Sequence, residues 1–356
     1  MRTWLAIIVV AAQIGLLAFM AGQREWVVRT GRSLYLRTAP IDPDDPMRGN
    51  YVRLEYDLSR VPKGLARGDA TKWFDEKPDE IYRRLRDRRV YAEVKSNADG
   101  LAELVALSDR PPAEGIYLRG RTESLTGGIL QVRYGIEALF LQQEKARAVE
   151  EARWRDHAGV PLDVEVAVSS RGLAVVKGYR WEPLGLTLNL DRPPRRAAPA
   201  PPGERRPGLT GATVELKNHS DHPVAIVVRP QDQSFRLVRN EPWEVVPPRA
   251  SDFQWVGEKN ILSPPQAADV RVLAPGESYR AHLDFTNPAW FVVDRGSEAN
   301  TTGPVSLEKL ADAWGASFRI EYAPPSAADC AGLPQANLIR HTPLRSRVFN
   351  PAGGVD

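Results

Sequence analysis

Residues 162–181 read LDVEVAVSSRGLAVVKGYRW. In the first seven, Leu162, Val164, Val166 and Val168 alternate with Asp163, Glu165 and Ala167, the two-residue period of a strand with one buried face. Arg171 and Gly172 interrupt the run before a second strand-like stretch from Leu173 to Trp181, so the segment predicts a hairpin. The same alternation recurs upstream in SLYLRT (33–38), VYAEVK (90–95), GIYLRGR (115–121) and ILQVRY (129–134). Two segments have helical character instead: PDEIYRRLRDR (78–88) and QQEKARAVEEARWRD (142–156), the second dense in good helix formers. Residues 24–190 are therefore expected to form a curved β-sheet or small barrel with helical insertions.

Downstream, DRPPRRAAPAPPGERRPG (191–208) is too rich in proline for a helix or a central strand, and 191–207 is expected to be an extended linker. Beyond it, residues 208–350 hold short strand-like runs: ATVELKN, VAIVVR, SFRLVR, DVRVLA, SYRAHLDF, WFVVD and SFRIEY. Turn signals separate them, which predicts an antiparallel, Ig-like β-sandwich, with a short helix over 306–314 capped by Ser306. The fold class expected for the whole chain is mainly β, preceded by a transmembrane helix.

That helix is WLAIIVVAAQIGLLAFMAG (4–22), interrupted only by Gln13 and spanning about 28 Å at helical rise, close to a bilayer core. The residues before Gly22 make a poor signal-cleavage site, so 1–23 is expected to remain as a single-pass anchor. Arg24, Arg29 and Arg32 after the helix outnumber Arg2 before it, which counts against export. A very short N-terminal tail before a long hydrophilic body is nevertheless the usual signal-anchor arrangement, and the bulk of the chain is expected to be extracytoplasmic (periplasmic), on the inner membrane.

With 356 residues and a 42% hydrophobic share, two folded units are expected. The 48 basic and 45 acidic side chains are interspersed, so the net charge of +3 gives no nucleic-acid reading. One cysteine, Cys330, excludes an intramolecular disulfide.

One further stretch, PIDPDDPMRGNYVRLEYDL (40–58), joins an acidic, proline-restricted loop to an alternating strand. Val52, Leu54, Tyr56 and Leu58 share one face of that strand and are expected in the core; Tyr51, Arg53, Glu55 and Asp57 share the other. Asp42, Asp44 and Asp45 gather beside Arg48, a grouping suited to an internal ion pair or a cation, though the spacing lacks the Gly and distal Glu of an EF-hand. Residues 40–56 resemble the signature of the GDYXXLXY family, membrane-anchored bacterial proteins, with Gly49, Asn50, Tyr51, Leu54 and Tyr56 at its named positions. Asn50 stands where the family has Asp, so a role there as acid, base or metal ligand has lost its carboxylate. VRYGIEALFLQQEKARAVEEA (132–152) and LDVEVAVSSRGLAVVKG (162–178) are similar to further segments of that family. The resemblance implies a membrane anchor and carries no catalytic residue with it.

Other candidates for chemistry are sparse. His219 and His222 form an HSDH pair without the Glu of a zinc-protease helix and read as turn residues. His157, His282 and His341 show no nucleophile spacing, and Cys330 sits in a Pro- and Ala-rich stretch. Trp243, Trp255 and Trp290 suit either a carbohydrate- or peptide-binding face or a core. No cofactor or metal is expected. The expected function is a membrane-anchored binding or assembly protein of the cell envelope with an envelope or membrane protein partner. Its candidate binding residues are Asp42, Asp45, Arg48, Gly49, Asn50, Tyr51, Leu54 and Tyr56. The alternative is a membrane-bound hydrolase with a site between Arg48 and Tyr56.

Overall fold

The structure, a computed structural model, describes residues 2–38, 51–75, 85–126, 128–140, 159–191, 209–240, 263–287, 290–295, 301–306 and 317–350. It begins with α1 (Arg2–Thr30), a 29-residue helix whose apolar part is long enough to cross a membrane. Trp4 and the large apolar side chains from Ile7 to Met20 are exposed, as a lipid-facing helix requires. Near its end Val27 becomes buried, and Gly31 turns the chain directly into the first strand. A Cβ at Gly31 would lie 2.5 Å from the Val27 carbonyl oxygen and 3.1 Å from the Val168 backbone, so the helix-to-strand turn has room only for glycine.

Contacts divide the chain into two compact units, the first comprising Met1–Ala146 and Leu162–Arg180. Its strands are β1 (Arg32–Arg37), β2 (Tyr51–Arg53), β3 (Arg60–Pro62), β4 (Arg89–Ser96), β5 (Ala102–Ser108), β6 (Ile116–Thr126), β7 (Ile129–Arg133), β8 (Ala138–Phe140), β9 (Leu162–Val168) and β10 (Ala174–Trp181), the last reaching one residue past the division. Five of them form an antiparallel sheet in the order β3-β7-β6-β4-β5; β1-β9-β10 and β2-β8 complete the set. Single bridges from Tyr35 to Leu101, Thr38 to Tyr56 and Ala66 to Leu107 connect the pieces into a nearly closed, barrel-like sheet. Leu36, Val90, Leu118, Val132 and Val164, on the inward phase of β1, β4, β6, β7 and β9, are buried, as the alternation predicts.

The hairpin read from residues 162–181 is present, with Gly172 at φ +74° in its turn. A Cβ there would fall 2.6 Å from the Tyr117 ring, so both conformation and space demand glycine. The strand expected over 51–58 is shorter. Only Tyr51–Arg53 pairs, with β8, and Asp57–Ser59 form a 3₁₀ turn. The partner chain turns at Gly135 (φ +79°), leaving no straight edge for the strand to continue along. The burial pattern survives the loss of the ladder: Leu54, Tyr56 and Leu58 are all buried. Of the helices expected over 78–88 and 142–156, only 85–88 lies within the described residues.

The second unit contains β11 (Leu184–Leu190), β12 (Gly211–Asn218), β13 (Val224–Val227), β14 (Phe235–Asn240), β15 (Val270–Leu273), β16 (Ser278–Asp284), β17 (Phe291–Arg295), β18 (Thr301–Ser306), β19 (Ser317–Tyr322) and β20 (Leu344–Arg345). All pairings are antiparallel: β11-β12-β16, β13-β15, β14-β19-β20 and β17-β18. Thus β11, before the proline-rich stretch, pairs with β12 beyond it. A large apolar core unites β11-β12-β16, β13-β15 and β14-β19-β20, with Leu186, Val214, Ile226, Phe235, Phe318 and Trp290 among its members. Trp290 meets Phe285 edge-on at 5.5 Å, so this tryptophan serves the core rather than a binding face. Ser306 ends β18, while the helix expected after it, Trp243 and Trp255 lie outside the described residues.

Candidate functional site at the motif strand

The motif strand is fastened to the segment 134–140 by backbone and side-chain bonds. Beyond the β2-β8 pairing, Leu54 N–H donates to the Glu137 carbonyl at 2.8 Å. Two tyrosines then bond across the gap in opposite directions. Tyr56 Oη donates to the Ile136 carbonyl at 2.7 Å, and Tyr134 Oη donates to the Leu58 carbonyl at 2.9 Å. The Glu137 carboxylate accepts from the Tyr134 and Gly135 backbone N–H groups, fixing the turn that brings Ile136 into reach. Burial, and secondarily the Glu137 charge, push both phenols well above the ordinary tyrosine value. A buried, neutral hydroxyl already bonded to a carbonyl is neither a nucleophile nor a proton shuttle near neutral pH, so Tyr56 serves structure.

A buried charge cluster lies on the adjoining sheet. Asp163 on β9 has no solvent exposure and faces Arg37 on β1 in register. Arg37 Nε reaches Asp163 Oδ1 at 2.8 Å, and Arg180 Nε reaches Oδ2 at 3.4 Å. The Arg180 guanidinium also covers the Tyr35 ring at 3.7 Å and donates to the Asp99 carbonyl. One strand-step away, Lys177 bonds both Glu165 and Ser33, and its hydrogen bond to Glu165 is the main cause holding that carboxyl below the usual range. Thr38, next to Arg37, is tied to the Leu162 carbonyl by its backbone N–H and its hydroxyl. Both chain ends bordering residues 39–50 are thereby anchored.

Of the sequence candidates, Leu54 and Tyr56 come together in the core and Tyr51 opens β2, while Asp42, Asp44, Asp45, Arg48, Gly49 and Asn50 lie outside the described residues. Sequence reasoning missed Tyr134, Glu137, Arg37, Asp163 and Arg180. Tyr134 and Glu137 did have a signal, because VRYGIEALF is one of the family-like stretches. Asp163 had none: it occupies the polar phase of its strand, and only the coverage of both faces buries it. In the second unit Cys330 ends a helical turn capped by Ser326 and is buried, with burial raising its thiol pKa. His222 is exposed beside Asp221, His282 pairs with Asp191 at 2.7 Å, and His341 meets the Pro325 carbonyl. His157 lies outside the described residues.

The first unit thus joins an apolar helix to a nearly closed, barrel-like sheet in which a tyrosine clasp ties the motif strand to residues 134–140. The model of the family described as GDYXXLXY protein matches residues 13–178, so the helix end, the clasp, β9 and β10 as far as Gly178 fall inside the matched segment. No curated protein and no solved structure shows a significant match to the chain.

Proposed function

We propose that this chain is a membrane-anchored, extracytoplasmic (periplasmic) binding or assembly protein of the cell envelope. In this reading α1 is its inner-membrane anchor, and its second unit is a β-sandwich. The acidic loop containing Asp42, Asp45 and Arg48 contacts an envelope or membrane protein. The observation that carries the reading is the clasp. The motif's Tyr56 is committed to an internal bond, and Thr38 and Tyr56 bridge the two ends of the intervening segment. Fixed flanks on either side of residues 39–50 suit presentation of that segment to a partner. The acidic side chains then recognise a basic partner surface.

A photo-crosslinking residue at Asp44 of the full-length protein in its own membranes tests this. The expected result is a discrete adduct with one membrane or envelope protein, lost on combining Asp42→Lys with Asp45→Lys. An adduct pattern identical to that from a probe at exposed Glu103 would remove the loop from the interaction.

A further inference from the structure

Where α1 enters the β unit, Thr30, Arg32, Gly115, Tyr117, Ser169 and Ser170 surround an open pocket of about 400 Å³. Ile116 and Val168 complete its wall. Its polar character is one-sided. It offers one guanidinium and the hydroxyls of Ser169 and Ser170, the Thr30 hydroxyl being donated to the Trp26 carbonyl, and its lining contains no carboxylate. Tyr117 Oη donates to the Ser170 carbonyl, which fixes that side of the pocket. Arg171, the next residue after Ser170, is exposed. Among the described residues, neither Arg32 nor Arg171 forms an ion pair. Arg29, in the last turn of α1, is by contrast already held by Glu25 at 2.7 Å.

The height of this pocket relative to a bilayer follows from the helix. Trp4 and Trp26 are both about 70% exposed. Their separation along the helix is about 33 Å at 1.5 Å per residue, close to the thickness of a hydrocarbon core. Tryptophans favour the two membrane interfaces, so this pair marks them. Thr30 lies one helical turn beyond Trp26, about 6 Å on the aqueous side of the headgroup level that Trp26 marks. The pocket therefore opens just above the lipid phosphates, within reach of a long arginine side chain.

We infer that this pocket binds the phosphate of an anionic membrane lipid, with Arg32 as the charged ligand, the Ser169 and Ser170 hydroxyls as further donors, and Ile116 against the glycerol. The inference rests on α1 being a membrane anchor. The lipid fixes the orientation of the first unit on the bilayer surface, because the pocket is built from both the helix end and the sheet.

The test uses the full-length chain in nanodiscs of phosphatidylcholine containing about a fifth phosphatidylglycerol. Insertion of α1 is scored separately by resistance to alkaline extraction. Native mass spectrometry after mild detergent release should show retained phosphatidylglycerol in preference to phosphatidylcholine. Retention should fall about tenfold in Arg32→Gln, the loss expected for one charge-assisted phosphate contact. Arg32 is exposed at the start of β1, so this variant keeps the fold, checked by an unchanged melting temperature. Equal retention in wild type and Arg32→Gln overturns the site. Displacement of the lipid by millimolar inorganic phosphate, without lipid preference, overturns the lipid as its source. Complete alkaline extraction of the wild type overturns the anchor itself, and the pocket inference with it.

Discussion

Tyr56 and Tyr134 form a reciprocal pair in which each hydroxyl satisfies a carbonyl on the other's segment, and the value of that pair can be read from substitution. Tyr56→Phe leaves the Ile136 carbonyl without its donor and should lower stability by about 1–2 kcal/mol at neutral pH. It should also change the alkaline limb. Burial raises both folded pKa values above the unfolded value of about 10, so each phenol contributes stability that is fully present below that pH and lost as the pH rises toward the folded value. Above about pH 10, each such tyrosine steepens the loss by about 1.4 kcal/mol per pH unit. Urea unfolding across that range should show Tyr56→Phe with one proton less of pH dependence; an unchanged slope would refute the buried-phenol account. Asp163 makes a different demand. Asp163→Asn removes a buried counter-charge held between Arg37, itself almost wholly buried, and Arg180, and should cost about 3–5 kcal/mol. Arg180→Met should cost under about 1 kcal/mol, because a third of that side chain is open to water. Equal losses in the two variants would contradict this assignment.

Among the elements, the β9-β10 hairpin depends on a single backbone position. Gly172→Ala places a Cβ against the Tyr117 ring at a positive φ and should destabilise by about 1–3 kcal/mol. Amide exchange should accelerate first at Ser169 and Leu173, which bond across that turn; uniform acceleration throughout the unit would mean the turn has no local role. This hairpin was legible in the sequence because alternation and a turn glycine agree. The same alternation over residues 51–58 identified Leu54 and Tyr56 as core but overstated the strand. Periodicity reports which face is buried, whereas a strand also needs a straight partner, and Gly135 bends that partner away. The Arg37–Asp163–Arg180 cluster was illegible for a related reason, since burial of a strand's polar face depends on what covers it. A matching ladder in the second unit, buried Glu321 between Arg236 and Arg345 on neighbouring strands, was hidden in the same way.

Taken as a whole, the molecule joins one apolar helix to two β units, and the proline-rich stretch lies between two strands of a single sheet. Seven residue pairs run from Leu184–Asn218 to Leu190–Ala212, and Arg340 binds Glu182 on the β11 side of the stretch. Cleavage at a protease site inserted after Ala198 should therefore leave the two fragments associated under native conditions. Their separation by gel filtration without denaturant would show that β11 does not hold them. The anchor and its orientation are the widest claims, and the charges flanking α1 pull against the proposed export, with three arginines after the span and one before it. Paired reporters fused after Asp356 in living bacteria separate the two orientations. An exported, anchored chain gives active alkaline phosphatase and a dark cytoplasmic fluorescent protein, with both fusions in the membrane fraction. A fluorescent fusion with inactive phosphatase would place the β units in the cytoplasm and contradict the proposed export.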